Sequence, residues 1–419
     1  MTTASNTYGF QVDGSPRGAR RKTLTGNRGH DGLLHHQRRA FSAYVTLAEE
    51  IAALPPALLA RLRARGFDPD RLAAWAAMIG QDRDKRNRFA GSVLPPAEGD
   101  VVDAPAPGGP EYARFEALGR EALARGEVAL CVLAGGMATR MGGVVKALVE
   151  ALPGKTFLDL RLAEMEALAR GTGATCPLWL MTSEATEGPI RAALGARLDT
   201  GDVATFEQFV SLRLTHEGKI FRDEHGEPSV YATGHGDLPD ALRASGLLDR
   251  FIQRGGKTVW IANLDNLGAT VDPVILGLHL AHGGPLTVEV VNKVGSDKGG
   301  GPIRWNGKKI IAEEMRLPIG FDPAQMPVFS TNTFLVSAEA LASLDLAWTY
   351  VEVDKTVGEA KAVQFERIVN EITTALDPQF LRVPRDGAAS RFLPVKDVPE
   401  LERRRPEIEE ALRARGILA

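Results

Sequence analysis

The sequence has few cysteines, little net charge and no long apolar run, and each shortage excludes a class of protein. Its two cysteines, Cys131 and Cys176, are too few for a disulfide framework or a zinc site, so we expect a reducing, cytoplasmic location. The 50 lysines and arginines nearly balance the 53 aspartates and glutamates. The resulting charge of −3 gives no general attraction to nucleic acid or to an anionic membrane, and we expect neither as a partner. No apolar run reaches the ~18 residues of a transmembrane helix, and no early apolar run indicates a secretory signal.

What the chain does contain is the composition of a folded globular protein. Hydrophobic residues make up 44% of the 419 positions and charged residues 25%. This length is enough for a large core and for two or three domains of roughly 150 residues each. With the total charge near zero, any site for an anion must be built locally.

Residues 1–40 are predicted to be a flexible basic tail. The segment is rich in Gly, Ser, Thr and Arg, and Asp13 and Asp31 are its only acidic residues. It has no hydrophobic period that would offset the entropy of ordering it. Its basic residues leave two alternatives open, contact with nucleic acid or an organelle-targeting peptide: Arg20, Arg21, Lys22, His35 and His36.

Residues 41–110 are predicted to form a helical extension followed by a linker. Leucines recur with Trp75 at helical spacing over residues 57–79, with a break near residues 66–70. Residues 94–110 are rich in proline and glycine, which favours a linker. A helix is expected to follow at residues 111–124.

The next part of the chain alternates short apolar runs with helical patterns. Buried strands are predicted at residues 127–133, 176–181, 258–262, 286–291 and 328–336. Helices are predicted at residues 157–169, 188–198 and 398–415. This alternation is typical of an open α/β sheet covered on both faces, and we assign it to a domain at residues 111–385 with a short C-terminal segment at residues 386–419.

The loop LAGGMATRMGGVVK, residues 133–146, follows the first of these strands. Adjacent glycines let a backbone approach a ligand closely and direct its N–H groups at phosphate oxygens. Arg140 and Lys146 add positive charge suited to a polyphosphate. The spacings of a dinucleotide fingerprint and of a Walker loop are both absent. The alternative is a structural turn with surface cations.

Three further segments carry residues suited to the same chemistry. NLDNLGATVD, residues 263–272, follows a predicted strand, and its Asp265 suits Mg²⁺ held jointly with phosphates, unless Asp265 and Asn266 only cap a helix. His235 lies between two glycines, where it can meet a ligand as a neutral hydrogen-bonding group or be simply solvated. Lys396 in SRFLPVKD is a candidate phosphate-neutralising cation from a distant element.

Taken together, these segments resemble the UTP–glucose-1-phosphate uridylyltransferase family, the eukaryotic-type UDP-glucose pyrophosphorylases. The resemblance runs from about Ala129 to Asp397, some two thirds of the chain. The matching segments, in chain order, are LAGG with its loop lysine at 133–146, TFLDL at 156–160, FEQ at 206–208, GHGD at 234–237, SGLLD at 245–249, NLDNLGATVD at 263–272, KGG at 298–300, TN at 331–332, QFE at 364–366, which is expected on a helix, and RFLPVK at 391–396.

The resemblance implies a fold, a reaction and a set of site residues. The fold is Rossmann-like and of the nucleotidyltransferase or GT-A type, with a mixed, mostly parallel sheet and helices on both faces. The partners are UTP and glucose 1-phosphate, the cofactor is Mg²⁺, and the products are UDP-glucose and pyrophosphate. No protein nucleophile is needed, because the attacking phosphate is already ionised.

The family's roles carry over residue by residue. The nucleotide is expected to contact Leu133, Ala134, Gly135, Gly136, Lys146, Gln208, Gly234, Asp265 and Lys396, with Gln208 reading the uracil. The sugar is expected to contact Gly135, Gly136, His235, Asn263, Leu264, Asp265 and Asn332. Lys396, Lys146 and Arg140 are the expected catalytic cations, and Asp265 is the expected metal ligand.

The chain departs from the family pattern in four places. Ala138 replaces a glycine of the loop, and Val144 and Val145 replace a Gly-Pro pair. STNTF, residues 330–334, differs from the family's sugar-side segment. Because 23 residues follow Lys396, we expect no β-helical C-terminal domain, and the oligomeric state stays open.

Three alternatives to the glucose enzyme remain. One is a pyrophosphorylase for another UDP-sugar, such as galactose or an N-acetylhexosamine. The second is a GT-A glycosyltransferase, although the usual Asp-x-Asp is Asn263-Leu264-Asp265 here. The third is a non-catalytic UDP-sugar sensor, which has less need for both Lys146 and Lys396.

Overall fold

The computed structural model describes residues 45–138, 141–295 and 297–418. The predicted basic tail, residues 1–40, and the candidate cation Arg140 lie outside these residues. Over the part of the chain described, no helix is long and apolar enough to cross a membrane.

Twelve α-helices are distributed along the described chain. They are α1 (Leu47–Ala52), α2 (Pro56–Ala64), α3 (Pro69–Met78), α4 (Arg83–Asn87), α5 (Pro110–Ala124), α6 (Phe157–Thr172), α7 (Glu184–Leu194), α8 (Leu238–Ala244), α9 (Leu247–Gln253), α10 (Pro273–His282), α11 (Ala338–Ala342) and α12 (Val398–Ala414).

The strands of the described residues fall into one large sheet and several small ones. They are β1 (Val93–Leu94), β2 (Val101–Asp103), β3 (Val128–Leu133), β4 (Met137–Ala138), β5 (Val144–Val145), β6 (Glu150–Leu152), β7 (Lys155–Thr156), β8 (Leu178–Thr182), β9 (Val203–Glu207), β10 (Val210–Leu212), β11 (Val230–Ala232), β12 (Thr258–Asn263), β13 (Leu286–Asn292), β14 (Gly301–Trp305), β15 (Lys308–Ala312), β16 (Val328–Ser337), β17 (Val351–Val357), β18 (Ala360–Glu366) and β19 (Pro378–Arg382).

The large sheet has eight strands in the order β2-β19-β13-β16-β12-β3-β8-β9. All neighbouring pairs are parallel except those of β16, which is antiparallel to both β13 and β12. This is the mixed, mostly parallel α/β sheet expected from the sequence. The five predicted apolar runs correspond to β3, β8, β12, β13 and β16, because strands buried on both faces need an apolar residue at nearly every position.

Alternate residues of the central strands pack into two different cores, one on each face of the sheet. Leu130 and Val132 of β3 belong to a cluster with helices α5, α6, α10 and α12. Ala129 and Cys131 belong to a second cluster with α8, α9 and α11. The prediction of helices on both faces is therefore confirmed.

The helical extension is present, and it packs on the small sheets rather than on the large one. Leu62 of α2 and Leu72 of α3 are buried with Val210 of β10. The Trp75 ring stacks on Phe365 of β18, with ring centroids 5.2 Å apart. These helices thus support the hairpins that border the candidate site.

Two local predictions are wrong. Residues 94–110 contain more than a linker, because β2 extends the large sheet by pairing with β19. The QFE segment, residues 364–366, lies on strand β18 and not on a helix. β2 pairs with a strand far along the chain, and β18 pairs with its hairpin partner β17. In both cases strand pairing decides the conformation, which local composition does not reveal.

Candidate active site

The carboxyl ends of adjacent parallel strands bring the predicted nucleotide-binding segments together. β3 and β12 are paired in register, so that Leu133 lies opposite Asn263. Gln208, directly after β9, donates its backbone N–H to the carbonyl of Thr182 at the end of β8 (2.9 Å). This edge of an open α/β sheet is where such folds bind ligands.

Two of the residues that are predicted to contact the ligands can do so only through their backbone. Ala134 and Leu264 are buried, with 0% and 3% of their surface exposed. The Leu264 N–H donates to the carbonyl of Leu133 at 3.4 Å, which joins the two loops at their start.

Gly135 and Gln208 form a close contact that explains the first glycine of the loop. A Cβ atom at Gly135 would lie 2.7 Å from Nε2 of Gln208. The Ser183 hydroxyl also donates to the Gly135 carbonyl at 2.9 Å. At Gly136 a Cβ would meet no protein atom within 4 Å, so that position is open to a ligand. The residue predicted to read uracil therefore lies directly on the glycine loop.

The hairpin of β4 and β5 delivers Lys146 to the carboxylate of Asp265. The Lys146 N–H donates to the carbonyl of Gly136 (3.3 Å), and its Nζ lies 2.5 Å from Oδ2 of Asp265. Ala138 lies in strand β4, and among the loop residues that the structure describes the positive φ angles fall on Gly142 and Gly143 instead. The replacement of a glycine by Ala138 is thus accommodated without strain in the backbone.

A buried arginine that the sequence reasoning missed supports the loop that carries Asp265. Arg161 of α6 has no exposed surface and donates to the carbonyls of Asn263 (3.0 Å), Asn266 (2.7 Å) and Ala269 (3.1 Å). It also pairs with Glu164 at 2.8 Å. Its place on a helix of mainly apolar residues is the one signal of this role in the sequence.

Asp265 and Asn266 do not cap a helix. The cap of α10 is Asp272, which accepts from the N–H groups of Val274 and Ile275. Asn266 instead holds the segment that leads to Lys396, because its Oδ1 accepts from the Leu393 N–H at 2.8 Å. The segment with the candidate carboxylate and the segment with the candidate lysine are therefore joined.

Lys396 itself is exposed, at the beginning of the last helix. Its backbone N–H donates to the carboxylate of Glu400 at 2.7 Å. Among the described residues its Nζ forms no hydrogen bond or ion pair within contact distance. The structure thus places the Lys396 backbone next to the site and shows no contact of its ammonium group.

His235 is held as a neutral hydrogen-bonding group. Its Nδ1 accepts from the Val369 N–H at 3.0 Å, and burial lowers the pKa of the imidazole. The proton is therefore on Nε2, where it is available to a ligand. Gly234 has φ 109°, and a Cβ there would lie 2.5 Å from the carbonyl oxygen of Arg367. Both features require glycine at residue 234.

A buried ion pair that the sequence reasoning also missed connects His235 with Gln208. Asp237 pairs with Arg367 at 3.1 Å, and neither side chain is exposed by more than 2%. The same carboxylate accepts from the Phe209 N–H at 3.1 Å. Burial raises the pKa of Asp237, and the Arg367 guanidinium opposes that shift. The pair fixes the backbone directly after Gln208.

Asn332, which the sequence predicts to contact the sugar, lies in a polar cluster. Its φ of 56° is in the left-handed region, which few residues other than glycine adopt. The Nδ2 of Asn370 donates to Oδ1 of Asn332 at 3.3 Å and to Glu313 at 2.6 Å. Burial raises the pKa of the Glu313 carboxyl. Glu313 and Asn370 follow no motif and were not predicted, yet Asn370 and its neighbour Val369 link Asn332 to His235.

A profile of the UTP–glucose-1-phosphate uridylyltransferase family matches residues 110–402. The chain belongs to this family. Its curated relatives include the UTP–glucose-1-phosphate uridylyltransferase of Musa acuminata, which is 31% identical over 66% of this chain and 62% of its own length. The enzyme of that name from Saccharomyces cerevisiae is 29% identical over 73% of this chain and 64% of its own length. The chain thus spans somewhat less than two thirds of these family members.

Solved structures agree with the fold of the family. A UDP-glucose phosphorylase from Trypanosoma brucei superimposes with a TM-score of 0.66 at 23% identity, covering 82% of this chain and 76% of the other. A UDP-N-acetylglucosamine pyrophosphorylase described as putative, from Entamoeba histolytica, gives a TM-score of 0.62 at 18% identity, covering 74% and 84%. At these identities the likeness establishes the fold alone, an α/β architecture with a large mixed sheet flanked by helices.

Proposed function

We propose that this chain is a uridylyltransferase that makes UDP-glucose and pyrophosphate from UTP and glucose 1-phosphate. The observation that carries the proposal is the contact of Lys146 with Asp265, 119 residues apart in sequence, beside the Gly135–Gln208 contact. A cation, a carboxylate and an amide suited to a pyrimidine edge then lie at one end of the sheet. Family membership supports the same reaction.

The charges of the reactants define what the protein must do. An oxygen of glucose 1-phosphate attacks the α-phosphorus of UTP, and the bond from that phosphorus to the bridging oxygen of pyrophosphate breaks. Both reactants are anions, so the barrier consists mainly of repulsion and positioning. Lys146 and Lys396, with Arg140 outside the described residues, neutralise charge that builds on the α-phosphate and on the leaving group.

The other residues bind and orient. Gln208 pairs with the uracil edge, and the backbone of residues 133–136 lies along the nucleotide. The Nε2–H of His235 donates to the sugar phosphate without moving a proton, because the neutral imidazole is already the stable form. Asn332 and the backbone of residues 263–264 hold hydroxyl groups of the sugar.

The residues present fit a magnesium ion bound mainly through substrate. The described residues contain no group of three His, Cys, Asp or Glu side chains that would form a complete protein cage. Asp265 offers one carboxylate beside the glycine loop, which matches the preference of Mg²⁺ for one or two carboxylates together with phosphate oxygens. When bound, the ion supplies charge stabilisation for the α-phosphate.

We further propose a cytoplasmic location. The thiols of Cys131 and Cys176 are both free and buried, and burial raises the pKa of Cys176 to about 12. Unpaired buried thiols are stable in a reducing compartment.

Release of pyrophosphate tests the proposal directly. The chain is incubated with UTP, Mg²⁺ and one sugar 1-phosphate at a time: glucose, galactose, N-acetylglucosamine, xylose or glucuronate. Fast release with glucose 1-phosphate supports the proposal, whereas faster release with another sugar assigns the chain to a neighbouring specificity. If no sugar 1-phosphate leads to pyrophosphate release but UDP-glucose still binds, a sensor or a glycosyltransferase is favoured and the proposal is contradicted.

A further inference from the structure

The last helix, α12, contacts each of three segments that carry a charged residue of the site. It has 17 residues and packs through Leu401, Ile408 and Leu412 into the core on one face of the sheet. Its first turn, its middle and its end each form a polar contact with a different segment. These contacts lie on the side of the core that also contains Ala147 and Leu267, next to Lys146 and the Asp265 loop.

The end of the helix contacts two segments at once. Nη1 of Arg415 donates to the carbonyl of Gly268 at 3.0 Å, and Nη2 donates to the carbonyl of Ser390 at 2.6 Å. Gly268 belongs to the loop of Asp265, and Ser390 begins the segment that ends at Lys396. One guanidinium therefore bridges the two segments.

At Gly268 the two segments touch backbone to backbone. A Cβ atom at this position would lie 2.7 Å from the carbonyl carbon of Arg391 and 2.9 Å from both the Phe392 nitrogen and the Ser390 oxygen. No side chain is available there to absorb a displacement. A shift of one segment is therefore transmitted to the other. The forked guanidinium of Arg415 holds the two segments together, beside the bonds of Asn266 with Leu393 and of Arg391 with Thr270.

The beginning and the middle of α12 complete the arrangement. Glu400, in the first turn, accepts from the Lys396 N–H at 2.7 Å and is itself paired with Arg404 at 3.4 Å. Nε of Arg405 donates to the carbonyl of Ala151 at 3.3 Å, in strand β6 beyond Lys146. The same helix thus fixes backbone near Lys396, Lys146 and Asp265.

We propose that α12 sets the relative positions of the three charged segments and that Arg415 is its principal positioning residue. The inference rests on the proposed uridylyltransferase function. Catalysis by fixed charges depends on their placement, and a displacement of about 1 Å can cost ~10²-fold in rate. In this proposal Arg415 acts through the carbonyls of Gly268 and Ser390 and not on the substrates directly.

A cavity next to Arg415 makes a specific test possible. The space measures about 330 Å³ and is lined by Thr270, Asp272 and Arg415 among others. Truncation of the arginine opens more room beside the two carbonyls, and a free guanidinium ion fits both the room and the pair of acceptors. Arg161 offers no such route, since its side chain is completely buried.

The test compares Arg415→Ala and Arg415→Lys with Arg413→Ala. Arg413 lies on the same helical turn, is exposed, and pairs with Glu409 alone among the described residues, so it serves as the matched control. We expect Arg415→Ala to lower kcat by roughly 10- to 100-fold and to change the KM for UTP much less. Millimolar guanidinium should restore a large part of this loss in Arg415→Ala and should leave the unmodified chain and Arg413→Ala unchanged. Arg415→Lys keeps the positive charge but cannot donate to both carbonyls in the same way. Its kcat should lie between those of the unmodified chain and Arg415→Ala.

Amide hydrogen exchange tests whether Arg415 holds the two segments together and needs no activity assay. The Ala269 N–H donates to Asn266 at 3.0 Å and the Leu393 N–H to the side chain of Asn266 at 2.8 Å, so both report on the joined segments. We expect their exchange to accelerate by about tenfold in Arg415→Ala and Arg415→Lys, with no change in Arg413→Ala.

The outcomes separate the two proposals. If the unmodified chain releases no pyrophosphate, the proposed function fails, and exchange at Ala269 and Leu393 still decides whether Arg415 holds the segments. If the unmodified chain is active and Arg415→Lys retains full activity with unchanged exchange, the role of Arg415 is overturned. A loss in Arg415→Ala that guanidinium does not restore, with equal changes in kcat and KM, also overturns it.

Discussion

Nζ of Lys146 lies 2.5 Å from Oδ2 of Asp265, and this ion pair joins the glycine loop after β3 to the loop after β12. The two side chains are 17% and 21% exposed, so the pair is accessible to ligands. A divalent cation on Asp265 has to share or replace the ammonium group. If Asp265 holds the proposed magnesium ion, Lys146 competes with that ion for the carboxylate, and its released ammonium group is then a suitable partner for phosphate.

Replacement of Lys146 by methionine should strengthen metal binding and weaken catalysis together. Without the ammonium group we expect Mn²⁺ to bind the ligand-free protein about fivefold more tightly, as is typical for a partly exposed ion pair. Turnover should fall by roughly 10²–10³. Mn²⁺ titration by electron paramagnetic resonance and pyrophosphate release measure the two effects. Lys155→Met, at an exposed lysine of β7, is the control, and weaker Mn²⁺ binding in Lys146→Met would contradict this interpretation.

Substitution of Gly135 should damage recognition of the base. A Cβ in Gly135→Ala displaces the amide of Gln208, which lies 2.7 Å away. We expect UTP affinity to fall by roughly tenfold and the preference for UTP over CTP to shrink, because a misplaced amide no longer matches one base. Calorimetric titration with both nucleotides measures this. In Gly136→Ala, where a Cβ meets no protein atom within 4 Å, the preference between bases should persist even if both affinities drop.

Removal of the Lys396 ammonium group should lower turnover far more than UTP affinity. Its backbone is fixed by Glu400 while its side chain is exposed, so Lys396→Ala should leave the fold unchanged. Loss of one preorganised charge commonly costs ~10²–10³ in rate. Steady-state kinetics with equilibrium UTP binding separate the two quantities, and Lys308→Ala, at another exposed lysine, is the control. An unchanged turnover number would refute the catalytic role.

Stability should decrease in mild acid because of His279. This side chain is 3% exposed and bonded to Thr287, and burial lowers its pKa to about 4 from a usual value near 6.5. Between these values the unfolded chain binds a proton that the folded chain does not. The contribution of His279 is therefore complete above about pH 6.5 and is lost as the pH falls toward 4, by up to ~3 kcal/mol.

Urea unfolding between pH 4 and pH 7 checks this expectation. In His279→Gln the pH dependence should be smaller than in the unmodified chain by about that amount. His282→Gln, at an exposed histidine of the same helix, should retain most of the dependence, because burial is the larger cause of the lowered pKa of His279 and the charge of His282 the smaller one. An equal pH dependence of the unfolding free energy in all three proteins would show that the pKa of His279 does not change on folding.

The central strands could be predicted because burial on both faces leaves a continuous apolar run, as in VALCVL of β3. β17 and β18 could not, since their outer residues are polar and their conformation depends on pairing with each other. For the same reason QFE at residues 364–366 was assigned to the wrong element. Strand β2 was not predicted either, because it lies within a segment whose proline and glycine content indicated a linker.

The residues of the candidate site also fall into two groups, those that the sequence predicted and those that it did not. Gly135, Gln208, Lys146 and Asp265 belong to motifs, and the structure brings them into contact. The supporting groups Arg161, Arg367 and Asn370 belong to none, because each acts on backbone or side chains that are close only after folding. Their roles are set by burial, which a single sequence does not display.

The position of β16 has a consequence for the order in which the sheet assembles. β12 and β13 follow one another along the chain, yet both pair with β16, which is added later and runs in the opposite direction. The sheet therefore consists of two separate halves until β16 inserts between them. Refolding should be limited by this long-range step, and a chain arrested before it exposes two unpaired strand edges that favour association with other chains.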